Sequence, residues 1–432
     1  MKRALLAFFI LLGMAGGVFA QTPAIHVDAT ESRGAINPLV YGTNYGPWSI
    51  VPLEFYPQFS ASGLELIRFP GGNWGDRNDI QPFQLGIYQS FLELSGAEGA
   101  ISVRLLNGSP EQAADLVRLV NVERGMNIRY WSIGNEPNLF PDDYTIDQFN
   151  QDWRAFAEAM QAVDPDIILV GPEISQYPPD YESINHSGTR DSSGRLWLHE
   201  FLRANGDMVD IVSVHRYPFP LGITAGPASV DIMRNNPPEW ERMMINLRAT
   251  INEIVGHDLP IAVTELNSYW APTSNAETTP DSFYNAIWFA DVLGRLINQQ
   301  VSMVGQFSLQ SNAGIGGWGL FGAFDIRPTY YVYQIYQRFG DERLTATSDM
   351  QYLSAYAARR DDGTLTLIVV NLGDDAATVP VEFTGFEVTG SPEVWLFDET
   401  HQAEQISYEE LATDNNDYSF PPRSISLLIF SA

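Results

Sequence analysis

Two glutamates stand where an acidic side chain is most usable. The run Arg129-Tyr-Trp-Ser-Ile-Gly-Asn135-Glu136-Pro137-Asn138 begins as an aromatic and β-branched segment, the composition of a buried strand. Pro137 ends it, because its nitrogen carries no hydrogen for a sheet ladder and its ring steers Glu136 out of helical geometry. A second run, Leu259-Pro-Ile-Ala-Val-Thr-Glu265-Leu-Asn-Ser-Tyr-Trp270, is another short apolar strand that closes on a carboxylate. One acid that delivers a proton and one that attacks carbon or activates water are the minimum equipment for cleaving a glycosidic bond. The plainer alternative for each is a turn residue capping the next segment. The lip where a strand ends is also where a parallel α/β barrel places its chemistry.

The residue types that are missing narrow the field further. Without Cys there is no disulfide framework, thiolate nucleophile or zinc–thiolate site. Lys2 is the only lysine, which removes Schiff-base and lysine-base chemistry. The six histidines, at 26, 186, 199, 215, 257 and 401, show no His-x-His or His-Glu-x-x-His spacing, so neither a catalytic metal nor another cofactor is expected. A net charge of −29 repels phosphate backbones and excludes nucleic acid as a partner, while it suits a neutral or weakly acidic glycan. Residues 1–20 carry a basic start (Lys2, Arg3), an apolar middle and a small-residue end at Val18-Phe19-Ala20, the pattern of a secretory signal. Stable membrane insertion is not expected, since the apolar run is too short to span a bilayer. A secreted or periplasmic protein of bacterial source follows; oligomeric state is left open.

The elements that must position the glutamates read in a regular order. Barrel strands are expected at Val40–Tyr45, Leu64–Phe69, Ile101–Asn107, the run opening at Arg129 and ending in Gly134-Asn135-Glu136-Pro137, Ile167–Glu173, Ile211–Tyr217, Leu259–Glu265 and Met303–Gln310, with helices near 110–124, 145–163, 196–204, 237–255, 280–298 and 328–339. Eight strands alternating with helices predict a closed (β/α)8 TIM barrel over 36–340. Beyond it, short alternating strands separated by turns predict an antiparallel β-sandwich over 341–432, joined by an N-terminal strand within 21–35.

With Glu136 on the fourth strand and Glu265 on the seventh, the chain resembles the large clan of retaining (β/α)8-barrel glycoside hydrolases, whose acid/base follows an Asn after strand 4 and whose nucleophile follows strand 7. The resemblance implies that Glu136 is the acid/base and Glu265 the nucleophile of a double displacement. It implies that Asn135 binds the sugar hydroxyl beside the anomeric carbon, that Arg68 holds Glu265 ionised, and that His215 and Tyr217, on one face of strand 6, orient nucleophile and sugar. Without that company, Arg68 reads as a salt-bridge partner, Asn135 as a turn residue and His215 as a satisfied core histidine. Arg68-Phe-Pro-Gly-Gly-Asn73 resembles α-L-arabinofuranosidases. Gly134-Asn-Glu-Pro-Asn-Leu-Phe140, Val170-Gly-Pro-Glu and Gly305-Gln-Phe are closer to heparanase and bacterial β-glucuronidases, and the xylosidase and iduronidase group shares Asn-Glu-Pro-Asn. Sugar, linkage and exo or endo action therefore stay open.

Aromatic faces stack on sugar rings, which makes Trp270 and Trp318 candidate contacts, with Trp74 and Trp48 behind them. Gln306 and Gln310 are candidates for the far wall. Glu173, ending the fifth strand, is the competing acid; no partner motif points to it, and it reads as a loop residue or an acid behind the catalytic pair. A non-catalytic carbohydrate-binding barrel is the rival reading, and the presence of both glutamates weighs against it.

Overall fold

A computed structural model describes residues 22–141, 143–179, 189–219, 226–271, 276–312, 314, 316–413 and 417–431. The signal-like segment 1–20 and His186 lie outside the described residues.

Eight strands close a barrel in chain order: Gly42–Asn44, Leu66–Phe69, Glu98–Val103, Tyr130–Ile133, Ile168–Ile174, Ile211–Arg216, Ile261–Leu266 and Met303–Gln306. Every neighbouring pair is parallel, and Gly42↔Gly305 and Thr43↔Gln306 close the ring. The third strand lies earlier than its apolar composition suggests, starting at Glu98.

The strands are buried on both faces, so alternation is hidden in the sequence and appears only in the parity of the side chains. Outward residues such as Ile67, Ile101, Trp131, Leu169, Val212, Val263 and Val304 join the main core beneath the helices. The inward set seals the floor with Leu66, Ala100, Tyr130, Val170, Ile211, Ala262 and Met303. One layer higher the inward residues turn polar and mostly small: Arg68, Ser102, Ser132, Ser213 and Thr264, all buried. That layer leaves room for one guanidinium and one carboxylate inside the barrel.

The helices start where cap chemistry dictates. Ser109, Thr145 and Ser282 each accept a backbone N–H of the first turn, and Pro110 occupies the first helical position. The helix from Pro110 turns wider over Arg118–Glu123 than over Pro110–Val117. A helix at Pro82–Ser95 has no clear sequence signal, because Phe83, 66 % exposed, blurs the stripe made by Leu85, Tyr88 and Phe91.

The second unit is a sheet of eight strands in the order Val381–Thr384, Ile25–Asp28, Glu342–Ser348, Leu353–Arg359, Leu365–Asn371, Ser424–Ser431, Thr389–Phe397 and Gln402–Ile406. It is antiparallel except where Ile25–Asp28 runs beside Val381–Thr384. A two-stranded ribbon, Ala377–Val379 with Tyr418–Phe420, covers one face and encloses a small core with Leu365, Leu367, Val369 and Leu428. The opposite face, with Tyr356, Ile368, Val370 and Leu427, merges into the barrel core. Helix Phe283–Asn298 lies between the two units and is buried almost all round. Two tyrosines fasten it: Tyr284 Oη donates to the carbonyl of Leu372 (2.8 Å), and Tyr356 Oη donates to the carbonyl of Asp291 (3.0 Å) and to its carboxylate.

Asp291 is fully buried, so removing its hydroxyl donor leaves an acceptor partly unsatisfied. Tyr356→Phe is expected to cost about 1–3 kcal/mol in urea denaturation while leaving catalytic rates unchanged.

Candidate active site

At the C-terminal rim of the barrel the backbone itself presents the two acids. Pro137 disfavours right-handed helical geometry for the preceding residue, and Glu136 takes a left-handed conformation, φ 48° and ψ 54°. The turn is pinned where the Glu136 N–H donates to the carbonyl of Glu173 (3.1 Å), itself left-handed at φ 61°. On the seventh strand the ladder register shifts between Val263 and Leu266, which lets Thr264 and Glu265 both reach inward-facing partners.

Three donors converge on Glu265. Arg68 Nη1 (2.9 Å) and the Gly72 N–H (2.6 Å) reach Oε1, and the Tyr217 hydroxyl reaches Oε2 (3.0 Å). Gly72 makes its contact from φ +65°, where a side chain would be strained. Glu136 Oε1 meets His215 Nδ1 at 3.1 Å, and the same nitrogen lies 3.8 Å from Glu265 Oε2. One oxygen of Glu136, one ring nitrogen of His215 and one oxygen of Glu265 all lie within 4.8 Å of one another.

The two glutamates share a buried scaffold. Arg68 donates to Asn44 Oδ1, Asn135 Oδ1 and Glu265, and its Nε lies 3.4 Å from Glu173 Oε1. Asn44 clasps the carbonyls of Thr264 and Gly305 (both 2.9 Å). A Cβ at 305 would come within 2.8 Å of that amide, which is why a glycine stands there. Asn135 is held twice, its N–H by Asp76 Oδ2 and its amide by Asn73 Oδ1 (both 2.9 Å).

Electrostatics follow from this packing. Burial opposes charge on His215, yet Glu265, Glu136 and Glu173 together raise it to about 9. Burial likewise opposes an ionised Glu173, but Arg68, His215 and Ser132 lower it to about 2. Burial raises Asp76 to about 7, against the backbone donors of Leu105, Asn135 and Leu106. Burial and the neighbouring Glu265 and Glu136 push the Tyr217 phenol well above its ordinary value, so it remains a donor. The compact group Glu136, His215 and Glu265 has the reach of a metal triad. Its imidazole, however, faces carboxylates at both nitrogens, an environment that favours the protonated ring over one offering a metal its lone pair.

The structure brings Glu136, Glu265, Asn135, Arg68, His215 and Tyr217 into one network. Trp318 is half-buried, donates to the carbonyl of Tyr269 (2.9 Å) and packs edge-on to Phe307 at 5.3 Å. Phe307 also stacks on Trp48 (6.2 Å) and meets Tyr217 (6.4 Å), so it centres an aromatic wall beside Glu265. Trp270 is 51 % exposed at the rim, next to buried Tyr269, and Trp74 is half-buried two residues beyond Gly72. Gln306 does not join the site. It shares the outward parity of Val304, and its amide lies 3.5 Å from Thr43 Oγ1 on the adjoining strand. Gln310 is buried and donates to Asn312 (2.8 Å) in the loop that follows.

Sequence reasoning passes over Asn44, Gly72, Asn73, Asp76 and Phe307. Asn44 and Phe307 sit at or just past the ends of barrel strands, the same cue that singles out Glu136. Gly72 acts through its backbone and Asp76 from a helical turn, where residue type carries no such cue.

Comparisons with known proteins agree with this fold. The sequence profile of glycosyl hydrolases family 39 matches residues 122–373. No curated protein sequence matches the chain. Among solved structures, a family 51 arabinofuranosidase from Xanthomonas axonopodis pv. citri superposes with a TM-score of 0.74 at 16% identity, over 95% of this chain and 100% of that one. CelM2, a bifunctional glucanase-xylanase from a metagenome library, gives 0.72 at 17% identity over 95% and 99%. A Paenibacillus polymyxa family 44 xyloglucanase gives 0.70 at 15% over 95% and 100%. At these identities the likeness is one of fold.

Arg68 is the guanidinium that both Glu173 and Glu265 contact. Arg68→Met strands two buried carboxylates and is expected to cost about 3–5 kcal/mol in urea unfolding, far more than an exposed arginine such as Arg118 replaced in the same way.

Proposed function

The chain belongs to glycosyl hydrolases family 39, and we propose that it hydrolyses its glycoside with retention, Glu265 acting as nucleophile and Glu136 as acid/base. The observation that carries this reading is the approach of the two carboxylates, with oxygens within 4.8 Å across the barrel mouth. Direct attack on the anomeric carbon needs carboxyl groups roughly 5–5.5 Å apart, whereas an inverting enzyme keeps them roughly 6.5–9.5 Å apart to admit water.

In the first half-reaction Glu265 bonds to the anomeric carbon as the glycosidic C–O bond breaks, and Glu136 passes its proton to the departing oxygen. In the second, Glu136 takes a proton from water, whose oxygen displaces Glu265 from the sugar. Three hydrogen bonds aim the acceptor-only carboxylate of Glu265. Asn135 meets the neighbouring sugar hydroxyl in this reading, a role supported by the way Arg68, Asp76 and Asn73 hold it.

A neutral glycan is the substrate class we favour. Arg68 is engaged by Asn44, Asn135, Glu173 and Glu265, which leaves it poorly placed to neutralise a uronate or sulfate. The wall of Trp48, Phe307 and Trp318 suits the apolar face of a sugar ring. The structural neighbours named for arabinofuranosides, xylan, glucan and xyloglucan make these the first substrates to test. Export belongs to the same reading and is supported by the signal-like pattern of residues 1–20.

On a panel of nitrophenyl glycosides and plant polysaccharides, Glu136→Ala and Glu265→Ala should each lose the activity that wild type shows. Proton NMR early in the reaction should find the first-formed sugar with the anomeric configuration of the substrate. An inverted product, or activity retained in either variant, contradicts the assignment.

A further inference from the structure

We infer that Glu173, which neither half-reaction uses, is a positioning residue: it fixes His215 as an imidazolium donating at both nitrogens, and so dictates which oxygen of Glu136 carries the transferable proton. The inference rests on Glu136 being the acid/base.

Glu173 is 0 % exposed and its two oxygens face donors. Oε1 accepts from Ser132 Oγ (2.5 Å) and lies 3.4 Å from Arg68 Nε; Oε2 meets His215 Nε2 (2.8 Å) and the Thr264 hydroxyl. With the Ser132 and Thr264 hydroxyls supplying their protons and the Arg68 charge beside it, Glu173 is the acceptor throughout, and the hydrogen between it and His215 belongs to Nε2. The other face of the ring meets acceptors: Glu136 Oε1 at 3.1 Å and Glu265 Oε2 at 3.8 Å. A neutral ring protonated at Nε2 would aim a bare lone pair at those two carboxyl groups. The protonated ring instead donates Nδ1–H to Glu136 Oε1. That oxygen is then an acceptor, and the proton Glu136 delivers must ride on Oε2.

Charge balance favours the same assignment. With His215 and Arg68 positive and Glu173 and Glu265 negative, the cluster is neutral while Glu136 is protonated. After the first half-reaction Glu265 is an uncharged ester and Glu136 is the anion, so the cluster is neutral again. A buried site that keeps its net charge across both steps avoids the cost of an unpaired charge in a low-dielectric interior. The groups facing His215 are Glu136 on strand 4, Glu173 on strand 5, Tyr217 on its own strand and Glu265 on strand 7, with Arg68 behind them.

Glu173→Gln keeps the shape and removes the charge. Near neutral pH its His215 is expected to lose the Nδ1 proton, and the freed lone pair then accepts a hydrogen bond from the Glu136 carboxyl, turning that proton away from the glycosidic oxygen. With whichever of the nitrophenyl α-L-arabinofuranoside or β-D-xyloside wild type hydrolyses, the basic limb of kcat/KM should move down by about a pH unit or more, towards the ordinary imidazole range near 6.5. Activity should recover at lower pH, where the ring is recharged. A dinitrophenyl glycoside, whose leaving group needs no proton, should lose less. A profile lowered equally at all pH values, with both leaving groups hit alike, overturns the inference. If Glu136→Ala and Glu265→Ala are inactive while Glu173→Gln only scales the profile, this inference falls and the double displacement stands. Should the variant not fold, 15N NMR of wild type decides. At about pH 8, where ordinary histidines are neutral, one imidazole should still carry both protons; none doing so overturns the inference.

Discussion

The site depends on a guanidinium enclosed by a barrel. Arg68 enters the polar layer above the hydrophobic floor, and burial there is tolerable only because Glu173 and Glu265 compensate its charge and Asn44 and Asn135 each accept one of its hydrogens. Each of these partners is in turn fixed by the requirement. Glu265 is tied to strand 2, Asn135 to the same cation, and Glu173 to His215, which bridges to Glu136. The two carboxylates hold their spacing because they belong to one charge-compensated network reaching six barrel strands, beyond what the rigidity of the strands alone would give.

Room for that network comes from the residues that do the least. Ser102, Ser132, Ser213 and Thr264 carry small hydroxyls on inward positions where larger apolar side chains would fill the barrel to its rim. Ser132 and Thr264 donate to Glu173, Ser213 accepts its backbone N–H (3.1 Å), and Ser102 donates to the carbonyl of Gly134 (2.9 Å). The polar layer thus contributes space and hydrogen bonds together, and sits directly below the turns that display Glu136 and Glu173.

Much of this was legible in the sequence where a local rule applies. Strand ends marked by Pro137 and by the polar loop after Glu265 expose the two acids, and the two-residue alternation of His215 and Tyr217 puts them on one face. Gln306 is less legible: its polarity near a strand end suggests the far wall, while its parity with Val304 turns it outward. The role of Glu173 is illegible for another reason. Its partners come from strands 2, 4, 6 and 7, separated by as many as 105 residues for Arg68, and no local pattern announces such a convergence. Asp76, hidden in a short helical turn, escapes notice in the same way.

The account turns on Glu265 as the atom donor that bonds to sugar. Incubating the enzyme with an activated 2-deoxy-2-fluoro glycoside of the sugar it hydrolyses slows the second half-reaction and lets the glycosyl-enzyme accumulate for peptide mass spectrometry. The adduct is expected on the peptide carrying Glu265, in a one-to-one ratio with lost activity. Attachment at Glu136, at Glu173 or elsewhere, or inactivation without any covalent sugar, would contradict the account.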